Sequence, residues 1–454
     1  VPSFALGLTR AMGAQLAASR APIVDANRPR TIAVVGLDSA APAADAADML
    51  VNALGAHGSV ASLRSGELET IDRAERDNER VVLQANEAAD AEWTDLCLRE
   101  ADLVVATTSG AADPAWLERA SALRGCELLV VGSRLGDGML EALQPRQVQV
   151  IADLPGHREA LHATARRLAG RSLGVVLSGG GARALAHLGV LDELEAAGLR
   201  FDRLAGVSLG ALVAAFAAAG FPHENTYRAF EQGFVETNPT NDYAVPAYSL
   251  IRGAKTRRLL GAAFGERRIE ELPLRFFSLS CDLVTRQAVI HRVGPLADAV
   301  YASLAIPGVF PPVATADGRL LVDGGVLDNL PVATMARSGE GPVIAVDVAG
   351  RTGAFRSTQG RTAAARLAGP VRRLLTGSEA EIPRLGETLV RTLMVGSTDT
   401  VAAARAHADL VITPVADSVG LMDWRALPRV VELGRRAARE ALAANPDLVE
   451  RLTA

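Results

Sequence analysis

The stretch Arg203–Gly220, RLAGVSLGALVAAFAAAG, decides how this chain folds. It begins as a short apolar strand, Arg203–Val207, and continues as an alanine-rich helix, Leu209–Ala219, that Gly220 and Pro222 stop. Between them lies Gly206-Val207-Ser208-Leu209-Gly210, which fits G-x-S-x-G. A strand that turns into a helix over one serine turns so sharply that bulky residues two places either side would clash. Glycine at both places lets the serine project from the end of the sheet, and the helix N-terminus beside it favours developing negative charge. The charge-free run Leu204–Phe221 reaches the lower length limit of a membrane span, but strand, turn and buried helix explain it better. Alone the motif is weak, because a glycine-flanked packing turn reads the same way.

Upstream, Leu173–Ser178 (LGVVLS) reads as a strand followed at once by Gly179-Gly180-Gly181. A helix follows over Ala182–Ala197, with Leu185, Leu188, Leu191 and Leu194 along one face and Gly198 as its stop. Backbone N–H groups of such a loop can face an oxyanion with no side chain in the way. The rival reading is a nucleotide fingerprint, since Gly179, Gly181 and Ala184 satisfy G-x-G-x-x-[G/A] with Asp202 downstream. In that fingerprint the acid ends the second strand, whereas Asp202 precedes it, so dinucleotide binding ranks second.

Downstream, Phe276–Asp282 and Ala288–Val293 read as a hairpin around Thr285-Arg286. Arg319–Val322 is a strand leading into Asp323-Gly324-Gly325, and Val343–Val348 and Leu410–Thr413 are late strands. A serine nucleophile needs a base. His407 precedes its strand, at the end opposite a ligand crevice, and His291 lies inside an alternating strand. Asp323 follows its strand at the carboxyl end, with two glycines leaving room for close approach. This expectation puts the glycine loop, Ser208 and Asp323 on one edge of one sheet; the bland alternative is that Asp-Gly is only a turn.

The chain has 454 residues and a formal net charge of -5, enough length for two or three domains and no basic excess for nucleic acid. Lys255 is the only lysine among 47 basic residues. Three scattered cysteines suggest neither disulfides nor a metal site, and a cytoplasmic setting fits. No signal peptide is read; the start at Val1 fits a fragment. Residues 1–27 read as a lead-in helix and linker. Residues 28–170 read as a Rossmann-like α/β domain of unknown role, with strands at Thr31–Leu37, Asp102–Thr107, Glu127–Gly132 and Val148–Ala152. Gly36-Leu37-Asp38-Ser39 after its first strand is not a phosphate-cradling pattern. Residues 171–454 form a second α/β domain, with poorly periodic loops and short helices over 350–400.

The segments GGGARALAHLGVL (Gly179–Leu191), GVSLG (Gly206–Gly210), ASLAIPGVFPPV (Ala302–Val313) and LLVDGGVLDNLPV (Leu320–Val332) resemble the patatin-like phospholipase family in order and spacing. Trp93–Cys97 (WTDLC) with Ala101-Asp102-Leu103 resembles the region preceding the catalytic domain in the neuropathy target esterase branch. Relatives there often carry a cyclic-nucleotide-binding domain further upstream. The resemblance implies a three-layer α/β/α catalytic domain with a Ser208–Asp323 dyad. It implies an oxyanion hole from Gly179, Gly180 and Gly181, reaching Ala182 and Arg183, and hydrolysis of fatty-acyl esters or lysophospholipids without cofactor or metal. Gly206, Gly210, Gly324 and Gly325 would support the motifs. Arg183 is followed by Ala184 where the family usually has glycine, a one-methyl departure the loop should survive.

Ten of the 18 aromatic residues fall between Phe216 and Phe277, a stretch that also holds Arg252, Lys255, Arg257 and Arg258. Aromatics beside basic residues suit an acyl-binding lid or a peripheral contact with the inner membrane face; the alternative is that they fill a core. The expected function is hydrolysis of (lyso)phospholipid esters. The competing readings are a catalytically silent lipid-binding scaffold and a nucleotide-binding regulatory protein.

Overall fold

The computed structural model describes residues 28–86, 90–132, 138–154, 158–245, 248–348, 398–416 and 419–453. The expected lead-in helix, and all but the end of the 350–400 segment, lie outside them. The chain divides into two compact units. One runs up to Ser172 and takes in Ala336–Gly341; the other holds Leu173–Met335 and continues from Pro342.

The first unit is a six-stranded parallel sheet. Its strands are β1 (Thr31–Gly36), β2 (Val60–Leu63), β3 (Arg80–Gln84), β4 (Leu103–Thr108), β5 (Glu127–Val131) and β6 (Gln147–Ile151), in the order β2-β3-β1-β4-β5-β6. The helices Ala43–Gly55 and Arg158–Leu168 cover one face. Trp93, Cys97, Trp116, Leu123 and Met139 pack on the other. Burial on both faces is why β1, β3 and β4 are almost wholly buried. The usual dinucleotide order is 3-2-1-4-5-6; here β3 lies between β1 and β2. Glu127, buried at the start of β5, is held by both outer nitrogens of Arg167 at 2.6 Å and by Arg146 at 2.6 Å. Strands β2 and β3 are absent from the sequence reading. The first is four half-exposed residues, and the second is framed by Arg80 and Gln84, polar residues that the fold buries.

The second unit is built on β7 (Gly174–Leu177), β8 (Arg203–Val207), β9 (Arg275–Asp282), β10 (Gln287–His291), β11 (Val313–Ala314), β12 (Leu320–Asp323), β13 (Val343–Val346) and β14 (Leu410–Ile412). Strands β14, β13, β7, β8 and β9 run parallel in that spatial order. Val175, Leu177, Leu204, Ile344 and Val346 join one core with the helices Ala186–Ala196, Leu209–Ala218 and Leu427–Ala443. The alternate residues Val176, Ala205, Val207 and Ala345 are buried too, so the sheet is covered on both faces. The expected helix over Ala182–Ala197 opens as a 3-10 turn, Gly181–Leu185, and its four leucines are all buried as their spacing requires. Leu204–Phe221 is strand, turn and a ten-residue helix, and no helix among the described residues is long and apolar enough to cross a membrane.

Strand β9 organises the site. Strand β10 pairs antiparallel with residues 278–282 of β9, and β8 pairs parallel with residues 275–279. A strand has two edges, so β8 and β10 lie on opposite ones. Strand β12 pairs antiparallel with residues 280–282, which β10 also covers, so it must share the edge of β8. Strands β8 and β12 therefore converge along one edge of β9 from opposite ends. Val207 sits opposite Leu279 and Asp323 opposite Ser280, so Ser208 and Asp323 meet where the strands stop. This corrects one premise of the sequence reading. Asp323 reaches Ser208 as the last residue of an antiparallel strand coming from the other direction, not at the carboxyl end of a parallel one.

Candidate active site

Ser208 takes φ 55° and ψ -130°, a strained conformation for a residue with a side chain. Its N–H donates to Ser303 Oγ at 2.9 Å, which holds the turn in place. The flanking glycines have a steric cause. A Cβ on Gly206 would lie 2.5 Å from the carbonyl carbon of Gly210, and one on Gly210 would collide with the backbone oxygens of Leu177 and Ser178. Ser208 is only 6% exposed.

Asp323 is 5% exposed, and its carboxylate interacts with the Ser208 side chain. Its Oδ1 accepts from Gly325 N–H at 2.8 Å. Burial pushes its carboxyl up to about 6, against the opposing pull of Ser208 and the Gly325 N–H. Gly324 leaves no space for a Cβ beside the backbone of Leu279, so the chain turns away immediately after the carboxylate.

The glycine loop closes on the serine, since a Cβ on Gly179 would stand 3.1 Å from Ser208 Cβ. Ala182 N–H donates to Leu421 O at 2.8 Å and Arg183 N–H to Gly180 O at 3.2 Å. The expectation that Ala182 and Arg183 donate to an oxyanion is thus corrected: both N–H groups are committed within the protein. Arg183 instead holds the neighbouring loop, its Nε donating to Val419 O at 2.9 Å. The N–H groups of Gly180 and Gly181 make no hydrogen bond among the described residues. Gly181 has φ 54°, which glycine adopts readily. Ala184 is fully buried, and its methyl is part of the core.

Two side chains of the site carry no signal in the motif reading. Asn329, 3% exposed, donates from Nδ2 to Gly179 O at 3.2 Å, and its Oδ1 stands close to where a Cβ on Gly325 would be. It ties the oxyanion loop to the Asp323 turn. His187 is fully buried under the loop, with Nε2 bonded to Ser178 O at 2.8 Å. Burial pushes it down to about 4, so it is neutral and donates from Nε2. Asn329 was findable in LLVDGGVLDNLPV as a buried polar residue close after the aspartate; His187 only once a core was known.

The other histidines lie elsewhere. His291 Nε2 bonds Ser280 Oγ at 2.7 Å within the β9–β10 hairpin, and exposed His407 bonds its own helix at Ala403 O. Asp202 sits before β8, at the amino end of a strand whose other end carries Ser208. It is therefore remote from the glycine loop, and the nucleotide reading of that loop fails on geometry.

The family model for patatin-like phospholipase matches residues 175–336. An NTE family protein of Mycobacterium tuberculosis, itself described as uncharacterized, is 35% identical over 469 residues, covering 99% of this chain and 78% of that one. Patatin-like phospholipase domain-containing protein 6 of Homo sapiens is 30% identical, over 63% of this chain and 24% of that protein. Lysophospholipase NTE1 of Coccidioides immitis is 30% identical, over 65% of this chain and 19% of that one. The seven motif glycines, the strained serine and the buried Asp323 carboxylate thus stand inside the matched span, and the chain belongs to the NTE family of patatin-like phospholipases, a family of lipid ester hydrolases.

Proposed function

We propose that the protein hydrolyses fatty-acyl esters of phospholipids or lysophospholipids through a Ser208–Asp323 dyad and an acyl-enzyme. The observation that carries this is the meeting of Ser208 with a buried carboxylate, raised to about 6, where β8 and β12 stop. A general base works best with a pKa near the working pH. Asp323 takes the Ser208 proton as Oγ attacks the acyl carbonyl. The N–H groups of Gly180 and Gly181, which have no partner among the described residues, hold the oxyanion. As the intermediate collapses, Asp323 returns the proton to the leaving alcohol. Water then attacks the acyl-enzyme, Asp323 again accepts a proton, and Ser208 is released with the fatty acid. A fluorophosphonate probe tests this: it should label the wild type and not Ser208→Ala. Equal labelling of both, or none of the wild type, removes the dyad.

A peripheral membrane contact is part of the proposal, in narrower form than the sequence suggested. Phe216, Phe230, Phe234, Phe264, Phe276 and Phe277 are buried and fill core. Tyr243, Val245 and Tyr248 are 73%, 86% and 86% exposed. Their loop is pinned to Gly308 and Val309, just beyond Ala305, whose carbonyl accepts from Asp323 N–H. Exposed Arg252 follows directly. These residues suit an anionic lipid surface near the site. Replacing Tyr243, Val245 and Tyr248 by serine should cut sedimentation with phosphatidylglycerol vesicles at least tenfold; unchanged sedimentation rejects the contact.

A further inference from the structure

A cavity of about 660 Å³ lies between the π-helical turn Glu231–Glu236 and the helix Ala254–Phe264. Its apolar lining is half-buried Leu259 and Ala263 and exposed Ala262, over the core residues Phe216, Phe230 and Phe234, each less than 5% exposed. Ser208, Asp323 and the glycine loop do not line it. Phe216 is eight residues along the helix from Ser208, about 12 Å at the helical rise.

Two cations, Lys255 and Arg258, stand at this cavity, and no acidic residue lines it. They are three residues apart on one helix, so they share a face. Lys255 Nζ donates to Asn241 Oδ1. Arg258 is exposed and makes no hydrogen bond or ion pair among the described residues. Elsewhere arginines are spent on partners, as Arg167 is on Glu127 and Arg435 on Asp192. The wall is itself unusual. π-Helical turns are rare and concentrate at functional sites, and Gly233 in this one packs against the end of the Leu259 side chain, which would have to move to admit a Cβ.

We infer that this cavity is a second lipid site, separate from the ester-cleaving centre, for a single-chain amphiphile with an anionic head. The chain lies against the phenyl rings and the head meets Lys255 and Arg258. The volume falls within the range of about 300–1,000 Å³ usual for small-molecule sites. A buried neutral acyl tail would have no use for two cations, whereas a carboxylate or phosphate head needs them. The inference rests on the proposed esterase reading only for its ligand source, because such an enzyme releases a fatty acid. A lysophosphatidate offers the same chemistry.

The test uses Ser208→Ala full-length chain, so that binding is read whether or not the wild type turns over. A fluorescent fatty acid is titrated in and displaced with palmitate, lysophosphatidate or neutral monopalmitin. Saturable binding displaced by the two anionic ligands, with monopalmitin at least about tenfold weaker, is expected for charge-assisted recognition. Palmitate binding more tightly than lysophosphatidate identifies the carboxylate head, and the reverse order the phosphate; either supports the site. Lys255→Gln with Arg258→Gln should weaken both by about tenfold or more. Ala262→Trp, at an exposed position on the cavity wall, should block binding while leaving fluorophosphonate labelling of Ser208 intact in the wild-type background. Unchanged affinity in both variants overturns the inference. So does loss of fatty-acid binding when wild-type Ser208 carries a long-chain phosphonate, which would put the ligand in the catalytic centre.

Discussion

Asp38 follows β1 in the first sheet and Asp323 ends β12 in the second, and the two carboxylates are held in opposite states. Burial pushes Asp38 up, but bonds from Ser109 N–H at 2.8 Å, Thr108 Oγ1 at 2.9 Å, the Ser109 hydroxyl and Ala40 N–H at 2.9 Å outweigh it and hold the group below its usual value. Asp323 is more deeply buried and receives only Ser208 and Gly325, so burial wins and the group rises to about 6. A carboxylate given enough donors is a fastener, and one given too few is a base. The comparison also bears on nucleotide binding. Asp38 fills the β1–β4 end of the first sheet with fixed negative charge and takes up N–H groups that a phosphate would need.

The sharpest way to break this contrast is to neutralise each carboxylate in turn. Asp323→Asn removes the proposed base and should lower kcat by about 10³-fold, within the usual range for a general base. Asp38→Asn should leave kcat within about twofold, because Asp38 only fastens loops of its own unit. Steady-state turnover of a soluble short-chain ester measures both. A comparable loss in the two variants would mean that the first unit takes part in the chemistry.

The sequence made β7, β8, β13 and β14 legible because each is a short apolar run bounded by glycine or charge, as a strand buried on both faces must be. It also showed the sharp turn at Ser208, since only glycine fits two places either side. Strand direction was not legible. Nothing in Arg319–Val322 says whether the strand runs with β8 or against it, because period and hydrophobicity are the same both ways. Residue patterns therefore placed Asp323 near Ser208 on a premise about direction that β9 contradicts. The commitment of the Ala182 N–H was hidden for a similar reason: its acceptor, Leu421, lies more than two hundred residues away, and pairing at that distance leaves no local trace.

Asn329 sharpens the comparison from the side of positioning. It has no counterpart at Asp38, where backbone and hydroxyl donors act directly. Asn329→Ala should free Gly179 O and loosen the loop whose Gly180 and Gly181 N–H groups are proposed to hold the oxyanion. A loss in kcat of about 10- to 100-fold with little change in KM is expected for a displaced oxyanion donor. A rise in KM with kcat unchanged would assign Asn329 to substrate binding instead.

The smallest effects, on pH and stability, carry the most diagnostic sign. On the proposed dyad turnover needs ionised Asp323, so kcat/KM should rise tenfold per pH unit on the acid side and level off above about pH 6. For stability the sign reverses. The folded state holds the Asp323 proton more tightly than the unfolded chain, whose aspartates titrate near 3.9. Its favourable contribution is therefore complete below about pH 4 and lost as pH rises through about 6. Asp323→Asn should then be more stable than wild type at pH 8, by up to about 3 kcal/mol for a shift of about two units, and indistinguishable from it at pH 4. Asp38 runs the other way. Its depressed group contributes stability above about pH 4 that disappears as pH falls further, so Asp38→Asn should be the less stable variant at pH 7 and match wild type in acid. Thermal melts of the three proteins at pH 8, 6 and 4 and in stronger acid read both signs at once. If Asp323→Asn melts below wild type at pH 8, the carboxylate is not held against its own desolvation and the contrast with Asp38 collapses.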